Sequence, residues 1–284
     1  MPGYEVRKQV LSFLITLVVA YALVLLLIRI FESHFIFFPN TPGRLSGNWR
    51  PLGLPVQDVS LRASDGTKLH AWWISGNDAK FTFLAFHGNA ANIANRADTY
   101  KFLQSMPANV LAVEYRGYGH SEGKPSEAGL YFDAEAGYDY VVNAKGIAPR
   151  QIVSFGQSLG TAVAAHLAAK REVGGVLLEA PFPSAAAVAR RIFWFLPGLS
   201  LTVASQFDLR ERLRAIEAPL MIVHCSEDPV IAFEFGEAVF SGAHEPKHFL
   251  KIEGYCHEEA SSIAPERYRA ALTEFLDSLG AYIH

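Results

Sequence analysis

QIVSFGQSLGTAVAAHLAAK, residues 151–170, decides the fold. The apolar run Gln151 to Phe155 suits a buried strand, and the alanine-rich stretch from Leu159 to Arg171 reads as a helix. Between them stands Gly156-Gln157-Ser158-Leu159-Gly160. A strand that turns abruptly into a helix strains its middle residue, and glycine on either side removes the β-carbons that would collide there. The Ser158 hydroxyl then projects at the end of the strand, where the free amides and positive end of the helix also point. G-x-S-x-G alone also fits an ordinary glycine turn, but a strand before it and a helix after it favour a nucleophile.

Working outward, the same texture repeats. FTFLAF (81–86), NVLAVEY (109–115), GVLLEA (175–180), PLMIVHC (219–225) and KHFLKI (247–252) are short apolar runs of the kind covered on both faces. Segments 92–106, 126–145, 232–240 and 265–279 read as helices between them. Upstream, Val56 to Arg62 and Lys68 to Ile74 alternate around the turn signal Ser64-Asp65-Gly66, as an antiparallel hairpin does. The expectation is an α/β fold, an eight-stranded, mostly parallel sheet with helices on both faces and the hairpin at its antiparallel edge. Ligands in such sheets bind at the carboxyl ends of the strands, so the chemistry belongs in the loops just after each run.

A serine hydroxyl needs a base to take its proton, and the base needs an acid to hold its tautomer. Asp228 follows the 219–225 run and His257 follows the 247–252 run, completing the chain order Ser, Asp, His. Glu227 and Asp208 are rivals for the acid; Pro229 favours Asp228 by fixing a turn after it. His224, His248 and His166 fall inside strands or a helix and read as packed residues. The loop His87-Gly88-Asn89 after the 81–86 run is expected to supply one oxyanion-hole amide, that of Asn89, with Leu159 supplying the other. His87 reads as a structural loop residue, and Asn89 or Asn92 as a helix cap.

Composition bounds the alternatives. The chain has 284 residues, half of them hydrophobic, enough for one sizeable core. Its net charge of -3 and pI near 6.4 offer no basic field for nucleic acid. Cys225 and Cys256, the two cysteines, lack metal-ligand spacing, so neither a zinc site nor a disulfide scaffold is indicated, and a Ser-His-Asp mechanism requires no metal or organic cofactor. Residues 1–31 differ in kind: VLSFLITLVVAYALVLLLI (10–28) carries no charge and is close to the ~20 residues that cross a bilayer core. It reads as an amino-terminal transmembrane helix over about 10–30, longer than a signal-peptide core and without the polar face of a buried helix. Arg7 and Lys8 before the span and Arg29 after it give a slight bias toward a cytoplasmic amino terminus, with the bulk of the protein on the non-cytoplasmic side. Residues 32–55 form a Pro, Gly and aromatic connector, and 56–284 the main domain.

HGNAAN, EYRGYGHSEGKPSE, GQSLG, HCSEDPV and GYCHEE, in this order behind a span and a FIFFP connector, resemble the membrane-anchored, single-pass α/β-hydrolases of the bud-emergence (Bem-like), ABHD type. The resemblance covers about residues 34–280 and implies the α/β-hydrolase fold. It places Ser158, Asp228 and His257 at the family's triad positions and implies a serine hydrolase of carboxylic esters, thioesters or amides. Relatives include protein depalmitoylases and lipid hydrolases, so the resemblance implies a small-molecule, acylated-protein or membrane-lipid substrate. Thr161 departs from a second glycine common at the elbow, and Tyr115-Arg116-Gly117-Tyr118-Gly119 reads as a structural loop without a chemical role. The resemblance also implies a short lid over about 181–216, basic at Arg190-Arg191 and apolar beyond. Two other readings share the fold: a non-catalytic membrane-tethered scaffold, and an acyltransferase using the same triad. Cys225 and Cys256 fall in neighbouring loops and are candidates for a disulfide on an oxidising face of the membrane.

Overall fold

The computed structural model of the chain describes residues 2–258 and 260–280; Met1 of the anchor, Glu259 of GYCHEE and the last four residues of the 56–284 domain lie outside the described residues. The first element is one helix, α1 (Pro2–Ile30), followed by the single turn α2 (Ser33–Ile36). Then come β1 (Val56–Arg62), β2 (Lys68–Ile74), β3 (Phe81–Phe86), α3 (Ala97–Gln104), β4 (Ala108–Val113), α4 (Glu127–Asp139), β5 (Ile152–Gln157), α5 (Leu159–Lys170) and β6 (Gly175–Glu179). Three short helices, α6 (Ala185–Ile192), α7 (Leu199–Thr202) and α8 (Leu209–Leu213), lead to β7 (Leu220–Cys225). The chain closes with α9 (Phe233–Gly242), β8 (Lys247–Ile252), α10 (Ala260–Ile263) and α11 (Pro265–Gly280).

The strands make one eight-stranded sheet in the order β1-β2-β4-β3-β5-β6-β7-β8. Only β1 against β2 and β2 against β4 run antiparallel, so the hairpin is the antiparallel edge. Side chains alternate across the sheet and both faces are dry, which is why the strands read as unbroken apolar runs. Leu84, Phe86, Val176 and Leu178 enter the core on one face with α4 and α5. Phe83, Ala85, Phe155 and Leu177 enter the other, against Tyr268, Leu272 and Phe275 of α11. Each large apolar side chain so buried contributes about 1.5–3 kcal/mol.

Element ends differ from the sequence reading for local reasons. The 92–106 segment divides into a 3-10 turn, Ile93–Arg96, and α3, because Asn92 caps the turn through its side chain. Helix α4, capped by Ser126, passes into a π turn over Tyr140–Ala144 rather than continuing regularly to Lys145. Strand β4 stops at Val113, so Glu114 and Tyr115 lie in the loop that follows it. α1 runs through its charged first turns as well as the apolar segment, since Glu5, Arg7 and Lys8 are compatible with a helix.

Candidate active site

The turn from β5 into α5 holds Ser158 at φ 49° and ψ -116°, a conformation that costs on the order of 1–3 kcal/mol in a non-glycine residue. Its neighbours make the turn possible. A β-carbon on Gly156 would collide with the backbone of Gly160, and one on Gly160 with the carbonyl oxygen of Phe86. The Ser158 amide donates to the Glu179 carbonyl at 2.9 Å, tying the turn to the end of β6. Thr161, the departure from the glycine pattern, donates its hydroxyl to the Ser158 carbonyl at 2.6 Å, alongside its amide at 2.9 Å. The threonine therefore braces the strained turn.

Asp228 and His257 meet. Asp228 Oδ2 lies 2.7 Å from His257 Nδ1, and the carboxylate is fully buried while the imidazole is 16% exposed. Its other oxygen, Oδ1, accepts the amides of Val230 and Ile231 at 2.8 Å each, the turn that Pro229 begins. Burial works to raise the Asp228 carboxyl, but hydrogen bonds from His224 and His257, the charge of His257 and the Ile231 amide outweigh it and hold the group below the usual carboxylate range. Glu227 is exposed. Asp208 caps α8 by accepting the Glu211 amide at 3.0 Å.

The two loops are fastened together. Ser226 donates its amide to the Ile252 carbonyl at 2.8 Å, Glu227 donates to Gly254 at 3.1 Å, and Gly254 donates to Ser226 Oγ at 3.0 Å. A disulfide joins Cys225 to Cys256, the residue before His257. A second clamp reaches the elbow. Gln157 Nε2 donates to the Glu258 carbonyl and to Glu179 Oε2, both at 3.1 Å, and Glu179 Oε1 accepts the Ala260 amide at 3.2 Å. The residue before Ser158 is thus bonded to the residue after His257.

The loop after β3 begins beside the elbow, where the carbonyls of Phe86 and His87 abut Gly160. As the first residue of α5, Leu159 has an amide without an intrahelical acceptor. The Asn89 amide finds no acceptor among the described residues. The Asn89 carbonyl accepts from the Phe38 amide at 2.9 Å and from Tyr118 Oη at 2.8 Å, while its side chain donates to the Ile36 carbonyl at 3.0 Å. Asn92, not Asn89, provides the cap. His87 is buried, with Nδ1 2.8 Å from its neighbour's carbonyl on Gly88 and Nε2 3.1 Å from Glu114 Oε1.

Several positioning groups were not assigned from the sequence. His224, read as packed, is buried, but its Nε2 also lies 3.5 Å from Asp228 Oδ2 and 3.0 Å from the Ile231 carbonyl. Arg96 pairs with Glu258 at 2.6 Å, linking the turn after Asn92 to the His257 loop. Glu179 and Glu114 are charged residues closing otherwise apolar runs, and that break in composition is the signal that marks them. Arg116 in the Tyr115–Gly119 loop is held by Asp133 of α4 at 2.8 Å and Asp65 of the hairpin at 2.6 Å, as a structural loop requires.

A model of the alpha/beta hydrolase family matches residues 69–216. An uncharacterised protein of Mycobacterium tuberculosis is 30% identical over 249 residues, 86% of this chain and 87% of that one. Human alpha/beta hydrolase domain-containing protein 17B is 33% identical over 207 residues, 72% of this chain and 70% of that one. Among solved structures, the Pyrococcus furiosus esterase Pf2001 superposes with a TM-score of 0.69 at 22% identity, covering 86% of this chain and 98% of the esterase. An alpha-beta hydrolase from Vibrio vulnificus gives 0.64 at 26% identity over 77% of this chain and 80% of its own. The chain belongs to the alpha/beta hydrolase family, of the ABHD type.

Proposed function

We propose that this hydrolase is a membrane-anchored serine hydrolase that cleaves an ester, thioester or amide through an acyl-enzyme. Ser158 attacks the acyl carbonyl, His257 takes its proton and returns it to the leaving group, and Asp228 holds His257 in the tautomer that can do so. The amides of Asn89 and Leu159 receive the negative charge that develops on the carbonyl oxygen. Water then attacks the acyl-enzyme, with His257 again as base, and frees the acid. The observation that carries this reading is the 2.7 Å contact of the buried Asp228 carboxylate with His257 Nδ1, which orients the imidazole and holds its proton on Nδ1. A fluorophosphonate probe should label the wild type and leave Ser158→Ala unlabelled. Undiminished labelling of that variant would remove the serine from the mechanism.

The span of α1 supports the anchored part of the reading. From Tyr4 to Ile30 its most apolar window has a mean hydropathy of 2.9, and none of that window is buried by the protein. The Cys225–Cys256 disulfide supports a catalytic domain on the non-cytoplasmic, oxidising side. Resistance to alkaline carbonate extraction tests the first statement, and protease protection of the domain in sealed inverted vesicles tests the second.

A further inference from the structure

The twelve residues from Ile192 to Val203, IFWFLPGLSLTV, contain no charged side chain. They form the tip of the segment between β6 and β7, and four of their large apolar side chains are open: Ile192 is 50% exposed, Trp194 79%, Phe195 59% and Leu201 85%. A contiguous apolar patch of this kind marks a surface that meets something apolar. Its position relative to α1 says what that is.

Tyr21 Oη donates to the Pro197 carbonyl at 2.6 Å, and Leu25 reaches the α-carbon side of Gly198. Helix α7 packs on α1. The uncharged part of α1 runs from Gln9 to Ile28, twenty residues between Lys8 and Arg29, about 30 Å at helical rise and the thickness of a bilayer's hydrocarbon. Measured back from Arg29, Leu25 lies about 6 Å and Tyr21 about 12 Å inside that boundary. The boundary itself is marked on both strands of the contact: Arg29 pairs with Glu32 at 3.7 Å, and Glu32 accepts the amides of Ala204 and Ser205 at 2.8 and 2.7 Å. Chain beyond Ser205 is polar, and chain before it is apolar down to Pro197.

We infer that residues 192–203 are a second membrane-embedded element, seated among the acyl chains of the leaflet that α1 enters from the catalytic domain. The inference rests on α1 being a membrane span. The hydrogen bond from Tyr21 serves both partners there, since neither the tyrosine hydroxyl nor the Pro197 carbonyl would find water in hydrocarbon. Arg190 and Arg191, exposed at the end of α6, have stems long enough to lead their guanidinium groups out to the lipid phosphates. The lid grows from Glu179-Ala180, whose glutamate carbonyl holds the Ser158 amide, so the embedded tip and the nucleophile are ends of one short connection.

The full-length protein carries its own probe. α1 contains no tryptophan, and of the three in the chain besides Trp194, Trp72 is fully buried, Trp49 of the connector packs against it, and Trp73 lies in β2. In phosphatidylcholine vesicles with bromine at mid-chain, the emission lost between wild type and Trp194→Phe should be quenched at least twofold relative to unbrominated vesicles. A nitroxide on Leu201→Cys should collide more often with oxygen than with a water-soluble nickel chelate, an independent readout should the tryptophan variant be poorly folded. Carbonate-resistant protein with unquenched Trp194 and a nickel-accessible nitroxide would overturn the embedded lid while leaving the anchor intact. Protein that carbonate washes from the vesicles would overturn the anchor, and this inference with it.

Discussion

Replacing Asp228 by Asn changes one atom of a carboxylate that is fully buried, so the packing is kept while the proton on His257 is reassigned. Oδ1 accepts the amides of Val230 and Ile231, and an amide nitrogen cannot take that place because it would face two donors. The new side chain is therefore oriented: its oxygen stays on the two amides and its NH2 faces His257 Nδ1 and His224 Nε2. An NH2 donates, so Nδ1 must accept, and the imidazole proton moves to Nε2. A histidine in that tautomer cannot take the proton of Ser158. In the Ser-His-Asp template the same exchange lowers kcat by about 10⁴, roughly 5.5 kcal/mol at 1.36 kcal/mol per decade. The assay is steady-state hydrolysis of a p-nitrophenyl ester by purified Asp228→Asn in detergent, with thermal unfolding as a check on folding. Glu227→Gln, at an exposed carboxylate one residue nearer β7, is the control and should stay within about threefold. A loss below tenfold in a folded Asp228→Asn would refute the tautomer argument and the role of Asp228 together.

Gln157→Ala removes the donor shared by Glu179 and the Glu258 carbonyl, and should lower kcat by about ten- to a hundredfold with KM little changed, consistent with the ~1.5–3 kcal/mol of a hydrogen bond to a charged group. Arg116→Ala leaves Asp133 buried without its cation and should destabilise the fold by about 3–5 kcal/mol in chemical denaturation, since burial already pushes that carboxyl up against the pull of Arg116. His166 stacks flat on Tyr131 at 3.6 Å, and burial, then Arg212 and Lys170, push its pKa down from 6.5 to about 4. The unfolded chain binds that proton first, so stability should fall as pH drops from about 6.5 to about 4, and His166→Phe should flatten this part of the stability profile. Cys225→Ser with Cys256→Ser should lower thermal stability by several degrees and should remove any effect of dithiothreitol on activity, measured on intact membranes.

How much of this was legible in the chain depends on whether a residue's partner is near it in sequence. The strands of the parallel sheet read directly because both faces are dry, and the alternation of Phe83 and Ala85 with Leu84 and Phe86 needs no knowledge of what covers them. The Ser158 turn reads directly because its requirements are local: two glycines and the strand and helix that flank them. The meeting of Asp228 with His257 follows from their positions after consecutive strands. By contrast Glu114 and Glu179 are defined by partners far along the chain, His87 in one case and Gln157 and Ala260 in the other. No period or spacing encodes those contacts. His224 misleads for the opposite reason: its place inside β7 does indicate burial, and burial is what brings it against Asp228.

The connector is the sharpest case, because its composition reads as irregular chain pressed against membrane or domain, and its contacts show which loops of the domain it holds. Proline, glycine and aromatics over 32–55 read as irregular chain, and irregular it is, apart from one turn of helix. Yet Phe38 donates to the Asn89 carbonyl, Asn89 donates back to Ile36, and Ala91 donates to Thr41 at 2.9 Å. Farther on, Arg44 donates to the carbonyls of Gly119 and Ser121, and the Asn92 side chain to those of Arg44 and Ser46. The backbone-to-backbone bonds of Phe38 and Ala91 are indifferent to side-chain type, and the side chains of Arg44, Asn89 and Asn92 reach carbonyls far along the chain, so no local spacing records either kind. Their consequence is mechanical. Only five residues lie between the end of α1 and Ile36, so the apolar helix is joined by a short, bonded chain to the loop that carries the Asn89 amide. The segment between β6 and β7 contacts the same helix at Tyr21 and returns to the turn of Ser158 through Glu179. Two of the segments around the Ser158 turn are therefore tied to α1 from opposite directions, and a change in how that helix sits would reach both the Asn89 loop and the segment between β6 and β7 at once.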